Sequence, residues 1–239
     1  MSEWAPKRFW TSANVTEVEG GFGVALDNRT VMTPGKFGLI LPTRAMAQAI
    51  ADEWDAQDEK VNPLTMPVTR SANTAIDKVA VQHGEVADML AAYGDSDLLC
   101  YRAESPAALA EREALHWDPL LDWAEADLGV RLHPRTGIMH EPQDPAALTA
   151  LRDRVHAQTH FELTGFHDLV SLTGSLILGF CAIQKHRTPE DIWDISRVDE
   201  HWQEELWGVD EEAQDAADRK KQAFLHAHRF FFLARDRSA

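Results

Sequence analysis

From Leu169 to Ile183 the chain runs for 15 residues without a charge, LVSLTGSLILGFCAI, inside a protein with 39 acidic and 23 basic side chains. Such a segment hides either in a bilayer or in a protein core. A membrane-spanning helix needs about 20 apolar residues, so the run is too short to cross. It reads instead as a helix that is apolar on every side, at the buried centre of a helical domain. Ser171, Ser175 and Gly179 recur at every fourth position and predict one smooth face where a second helix approaches closely.

The surrounding sequence supplies the partners. Periodicity predicts helices over residues 68–92, 106–128, 144–161, 164–185, 189–207 and 211–233. Ser105 before Pro106, and Asp144 before Pro145, read as caps with proline at the first helical position. Leu98 to Arg102 reads equally as a strand or a helix end, and Val130 to Met139 as a small hairpin or an irregular loop. The first forty residues are different. Short runs at residues 14–18, 22–26, 30–32 and 37–41 are separated by Gly20-Gly21, Asp27-Asn28-Arg29 and Pro34-Gly35, which predicts an antiparallel meander. Thr43 then caps a helix with Met46, Ile50 and Trp54 on one face, and Asn62-Pro63 stops it. The expected fold is α+β. A small antiparallel β-rich domain with one helix, residues 1–65, precedes a larger, mainly α-helical domain, residues 66–239.

Charge is spread unevenly. The 26 residues from Glu190 to Asp215 hold eleven carboxylates and one basic residue, Arg197. They supply −10 of the net −16 and interleave Trp193, Trp202 and Trp207. Ile192, Ile195, Val198, Trp202, Leu206 and Val209 recur at steps of three and four, which predicts an inward apolar stripe and an outward acidic face. Charge runs usually only solvate a surface, but tryptophan is enriched where binding energy concentrates. Trp207 divides evenly between packing in the core and facing a partner, whereas Trp54, Trp117 and Trp123 are expected in the core. Asp97 and Arg102 read as a pair across the domain junction or as a plain surface pair. An acidic chain with no basic stripe argues against nucleic acid and against anionic membrane surfaces.

The chemistry-bearing residues do not assemble into a catalytic pattern. His156 and His160 have the spacing of a zinc helix, but Ala157 stands where H-E-x-x-H has its glutamate. Glu113 and His116 match one E-x-x-H, where a di-iron bundle needs two and further glutamates. Ser96 lacks an evident base, and Gly94 with Asp95 or Ser96 reads as a helix stop and next cap. Gly21-Phe22-Gly23 is no dinucleotide loop. No enzyme activity, cofactor, metal or small-molecule substrate is expected; a metal-dependent or serine hydrolase is the alternative. Cys100 and Cys181 sit in apolar company and read as buried free thiols in a reducing compartment. MSEWAPKRFW has no apolar signal core, so a bacterial cytoplasm is expected, or a mitochondrial matrix for a processed eukaryotic form.

Ten short strings carry a resemblance. They are KRFW (Lys7 to Trp10), GGF (Gly20 to Phe22), LDNR (Leu26 to Arg29), TP (Thr33-Pro34) and EWDAQ (Glu53 to Gln57). DSDLLCYR (Asp95 to Arg102), WDPLLDWAE (Trp117 to Glu125), GV (Gly129-Val130), SR (Ser196-Arg197) and WG (Trp207-Gly208), followed by Glu211 and Asp215, complete the set. In that order they resemble the "ATP twelve" family of assembly factors, chaperones for the α subunit of the catalytic head of F-type ATP synthase. The resemblance implies a β-rich domain followed by a helical one and a non-enzymatic role. The chain would hold the unassembled α subunit, cover the interface it later presents, and yield it to the β subunit. Relatives carry an aromatic where Glu212 stands and a histidine where Gln214 stands. Partner contact is expected at Glu211 first, then Asp215, Trp207 and Glu212. A general holdase without a preferred client is a further alternative.

Overall fold

The computed structural model describes residues 7–236, and their contacts gather into two units. The first comprises Met1–His83, Thr159–Gly165 and Arg229–Ala239, and the second Gly84–Gln158 and Phe166–His228. Val68, Ala72, Ala75, Phe161 and Phe230 all join one core with Trp10, Leu41, Met46 and Ile50.

In the first unit, β1 (Ala13–Val18), β2 (Gly21–Leu26) and β3 (Arg29–Thr30) form an antiparallel sheet in that order. Val15 stands opposite Val24, and Leu26 opposite Arg29. The expected strand at residues 37–41 is reduced to isolated bridges, Phe22 to Leu41 and Met32 to Gly38. The side chain of Thr43 accepts from the Met46 amide, as expected, and starts α1 (Arg44–Asp55), which buries Met46, Ala47 and Ile50. Trp54 is only half buried and meets Trp10 edge to face at 5.2 Å. Several of the short strings act as local ties here. The Glu53 carboxylate accepts from the Val68 and Thr69 amides at 2.7 and 2.8 Å, capping α2 (Pro67–Thr74). Asp55 accepts from the Ala13 amide, Asp27 from those of Thr11 and Ser12, and Gln57 from that of Asn62.

The expected helix over residues 68–92 is interrupted. After α2 comes one wide turn, Ala75–Val79, and then α3 (His83–Ala91). In the second unit a 3-10 turn at Leu98–Cys100 leads into β4 (Tyr101–Arg102), which runs parallel to β5 (Arg135–Thr136). Next come α4 (Ala107–Trp123) and α5 (Pro145–His156). Asp144 caps α5 by accepting from the Ala146 amide. Ser105 does not cap α4, because Pro106 itself occupies the capping position.

The uncharged run is buried as expected, but as two helices, α6 (His160–Thr173) and α7 (Leu176–Ile183). Gly174, with φ +70°, ends α6, and Ser175 caps α7 by accepting from the Leu178 amide. Every residue of α7 is buried. The four-residue spacing therefore marks no continuous stripe; Gly179 alone makes the close approach, to α6. A Cβ there would stand 2.7 Å from Val170 and 3.1 Å from Phe166. Gly179→Ala is therefore expected to destabilise by about 1–3 kcal/mol through overpacking, read as a lower melting temperature; a wild-type melt would mean the two helices part freely.

The remaining helices are α8 (Pro189–Ile195), α9 (Val198–Trp207) and α10 (Glu211–Arg235). The helix expected over 189–207 breaks at Ser196-Arg197. Trp117, Trp123 and Trp193 are buried, and the Trp117 indole donates to the Ile195 carbonyl at 2.9 Å, fixing the end of α8 on α4. No helix among the described residues is long and apolar enough to cross a membrane.

Candidate functional site

The acidic segment folds as α8, α9 and the first turns of α10, and its three tryptophans have three different fates. Trp193 is buried against Phe224, with ring centroids 5.8 Å apart. Trp202 is half buried beneath the Arg112 guanidinium, 4.7 Å from the ring centre. Arg112 also grips Glu205 through both its terminal nitrogens, at 2.7 and 2.9 Å, so α9 is fastened to α4 along this face. That grip holds the Glu205 carboxyl below its ordinary value. Trp207 has no such cover: it ends α9 and is 78% exposed.

Its neighbours are exposed with it. Leu206 and Val209, expected on the inward stripe, are 57% and 62% exposed. The stripe holds through Ile192 and Val198, which are buried. It then fails at the end of α9, where nothing among the described residues covers Leu206, and the turn at Gly208 separates Val209 from that helix. Gly208 adopts φ +86°, ψ +166°, a region in which a side chain is strained, and this turns the chain sharply from α9 into α10. Asp210 then accepts from the Ala213 amide at 3.0 Å. Glu211 and Glu212 occupy the first turn of α10, where its dipole favours negative charge. Asp215 lies four residues after Glu211, on the same face.

The four residues singled out from the sequence are all exposed, Trp207 at the end of α9 and Glu211, Glu212 and Asp215 in the first two turns of α10, either side of the turn at Gly208. From Asp199 to Asp218 there are nine carboxylates and no lysine or arginine. Glu200 and Glu204 face Arg197 at 3.5 Å, and Glu205 faces Arg112. Glu211, Glu212 and Asp215 make no ion pair among the described residues. This corner, from Leu206 to Asp215, thus presents exposed apolar side chains next to carboxylates that have no ion pair among the described residues.

The chemistry-bearing residues elsewhere are engaged in structure. His156 ends α5 and meets Asp88 at 2.7 Å, whereas His160 begins α6, so the pair shares no helix. Glu113 is buried and accepts from the Ala103 amide, while His116 faces outward. Ser96 is exposed, and the cap of the following turn is Asp97, not Asp95 or Ser96. Asp97 and Arg102 do not pair: Asp97 is fully buried, and Arg102 binds Asp118 at 2.8 Å. Cys100 and Cys181 are buried and free, and burial pushes the Cys100 thiol up to about 12. No group of three His, Cys, Asp or Glu among the described residues is arranged to hold a metal ion.

Comparisons with known proteins place the chain among chaperones. The sequence profile of the ATP12 chaperone protein family matches residues 7–125. Among solved structures, Atp12 from Paracoccus denitrificans is 48% identical, with a TM-score of 0.94 over 97% of this chain and 100% of that one. A variant of the same protein, with an aspartate replaced by lysine, is 47% identical, with a TM-score of 0.95 over 98% and 100%. A candidate chaperone from Agrobacterium tumefaciens is 41% identical, with a TM-score of 0.90 over 95% of this chain and 85% of that one.

Proposed function

This chain belongs to the ATP12 chaperone family, and from that premise we propose that it binds the unassembled α subunit of the catalytic sector of F-type ATP synthase. It shields the face that the α subunit presents to its neighbours and yields it to the β subunit. The observation that carries this reading is the exposed corner of Leu206, Trp207 and Val209 beside the unpaired carboxylates of Glu211, Glu212 and Asp215. Lone ring subunits expose apolar interfaces that aggregate. A strongly acidic binder covers such a face and keeps the complex dispersed, because its net charge of −16 repels a second copy. Release is competition: the β subunit covers more of the same surface than the chaperone does. No bond is made or broken, and no cofactor is needed.

The test separates binding from folding. Glu211→Lys reverses a charge in the first turn of α10, and the helix dipole sets its stability cost at about 0.5–1 kcal/mol. The melting temperature is expected to fall only slightly, while capture of purified unassembled α subunit weakens at least ~10-fold, the effect of about 1.4 kcal/mol. Unchanged capture by a folded variant overturns Glu211 as a contact. Failure of the wild-type protein to capture the α subunit overturns the function, and equal protection of unrelated aggregating proteins replaces it with a general holdase.

A further inference from the structure

We infer that the corner between α9 and α10 recognises a cationic, apolar-faced segment of its client, with arginine or lysine side chains set against Glu211, Glu212 and Asp215 and an apolar or aromatic side chain on Trp207. This rests on the corner being the client-binding surface and adds the chemistry of what it takes.

Two observations select that occupant over an acidic or neutral one. The first is charge. Glu200, Glu204 and Glu205 have arginine partners within the molecule, whereas Glu211, Glu212 and Asp215 have none among the described residues. Arg219, four residues beyond Asp215, makes no ion pair within 4 Å with it. Three like charges within two helical turns lie well inside a Debye length of about 8 Å, so a cation brought between them relieves repulsion as well as gaining attraction. An anionic segment meets the opposite sign of both effects.

The second observation is geometric. This protein already joins cation, tryptophan and carboxylate twice on the same stretch of chain. Arg112 stacks on Trp202 at 4.7 Å while gripping Glu205, and Arg197 stands over Trp193 at 5.8 Å while facing Glu200 and Glu204. Trp207, followed by Glu211, repeats the ring and the carboxylate but has no guanidinium from its own chain among the described residues. A partner arginine completes the set, and tryptophan is the best of the aromatic rings for that contact. Leu206 and Val209 flank the ring and take the apolar side chains beside the cation.

The experiment uses the full chain and two labelled synthetic helical peptides. Both carry leucine on one face, and they differ only in having lysine and arginine, or glutamate, on the other. Fluorescence anisotropy is read at about 50 mM and about 300 mM salt, since a longer Debye length favours charge-driven binding. The cationic peptide is expected to bind and the glutamate peptide not to. Affinity for the cationic peptide falls several-fold at the higher salt. It falls at least ~10-fold in a Glu211→Gln, Asp215→Asn double variant, and by a similar factor in Trp207→Ser, both checked for wild-type melting. Equal binding of the two peptides overturns the proposal, as does no binding of either, or unchanged affinity in the folded variants. Capture of the α subunit with no binding of the cationic peptide sinks this inference and spares the assigned function. Peptide binding without α-subunit capture does the reverse.

Discussion

Replacing Asp97 with alanine is expected to cost the helical unit about 3–5 kcal/mol, because several buried donors lose their acceptor together. One oxygen of the carboxylate accepts from the Leu99 amide at 3.0 Å and caps the turn at Leu98–Cys100. The other accepts from the Ile177 amide at 3.0 Å, at the start of α7. Ser175 and the Leu176 amide add further hydrogen bonds. A single side chain thus satisfies the ends of two segments that are distant in sequence, at the buried residues Leu99 and Ile177. Burial nevertheless dominates and pushes the Asp97 carboxyl up to about 6. A folded-state value above the ordinary 3.8 fixes the sign. The contribution of the proton is full below 3.8 and is lost as pH rises through about 6, because the folded state holds its proton longer than the unfolded one. At pH 7 the carboxylate is ionised in both states, and its donors offset the cost of burying it. The alanine variant is expected to melt roughly 10 °C lower at neutral pH and to lack the wild-type slope between pH 3.8 and 6. A variant that melts with the wild type would show that α7 and the turn hold each other without the carboxylate.

Asp97 also marks where sequence reading reaches its limit. It sits in one of the strings that carry the resemblance, yet its spacing from Arg102 suggests a pair, and nothing along the chain announces a cap shared with Ile177. Elements set by local chemistry are legible: the Thr43 and Asp144 caps, the β1–β2 hairpin, the buried α7 and the long α10 all follow from neighbours a few residues apart. Glu53, Asp55 and Gln57 are legible only as a string, since their work is to satisfy Val68, Ala13 and Asn62, which other segments bring to them. The candidate site divides in the same way. Its composition, acid and tryptophan in one short stretch, is plain in the sequence. That Trp202 is covered and Trp207 bare is not, because helical period says which side chains share a face and not what lies opposite. The decisive partner of Trp202 is Arg112, on α4, whereas no segment among the described residues covers Leu206, and Val209 lies beyond a glycine turn that ends α9 where the apolar period continues.

At the opposite end of α9 from Trp207 lies a pairing with no signal in the sequence, and it sets the second large effect. Glu113 on α4 is 1% exposed and accepts from the Ala103 amide at 2.9 Å. The Asp199 carboxyl on α9 acts on it as well and raises its value further. Asp199 Oδ1 is buried with no hydrogen-bond partner among the described residues, and a carboxyl group donates only when it carries a proton, so a proton on Glu113 gives this oxygen the donor it lacks. Burial pushes Glu113 up to about 7; the Ala103 amide opposes the rise, Asp199 adds to it, and Arg102 opposes it. Arg102 and Arg197, the nearby guanidiniums, are engaged with Asp118 and with Glu200 and Glu204. Since the folded value lies above the ordinary 4.5, the stability from this link is full below 4.5 and is lost as pH rises through about 7. Glu113→Gln replaces the shared proton with an amide that donates to Asp199 while its carbonyl still accepts from Ala103. The variant is expected to match the wild type near pH 5 and to exceed it by about 1–2 kcal/mol at pH 8, since a tenfold change in proton affinity is worth roughly 1.4 kcal/mol. The same flattening is expected in α-subunit capture, because α9 carries Trp207 and its attachment to α4 no longer weakens with pH. Parallel melting curves for the two proteins from about pH 5 to about pH 8 would mean that no proton is shared, and that Arg112 and Trp117 alone fasten this part of the chain to α4.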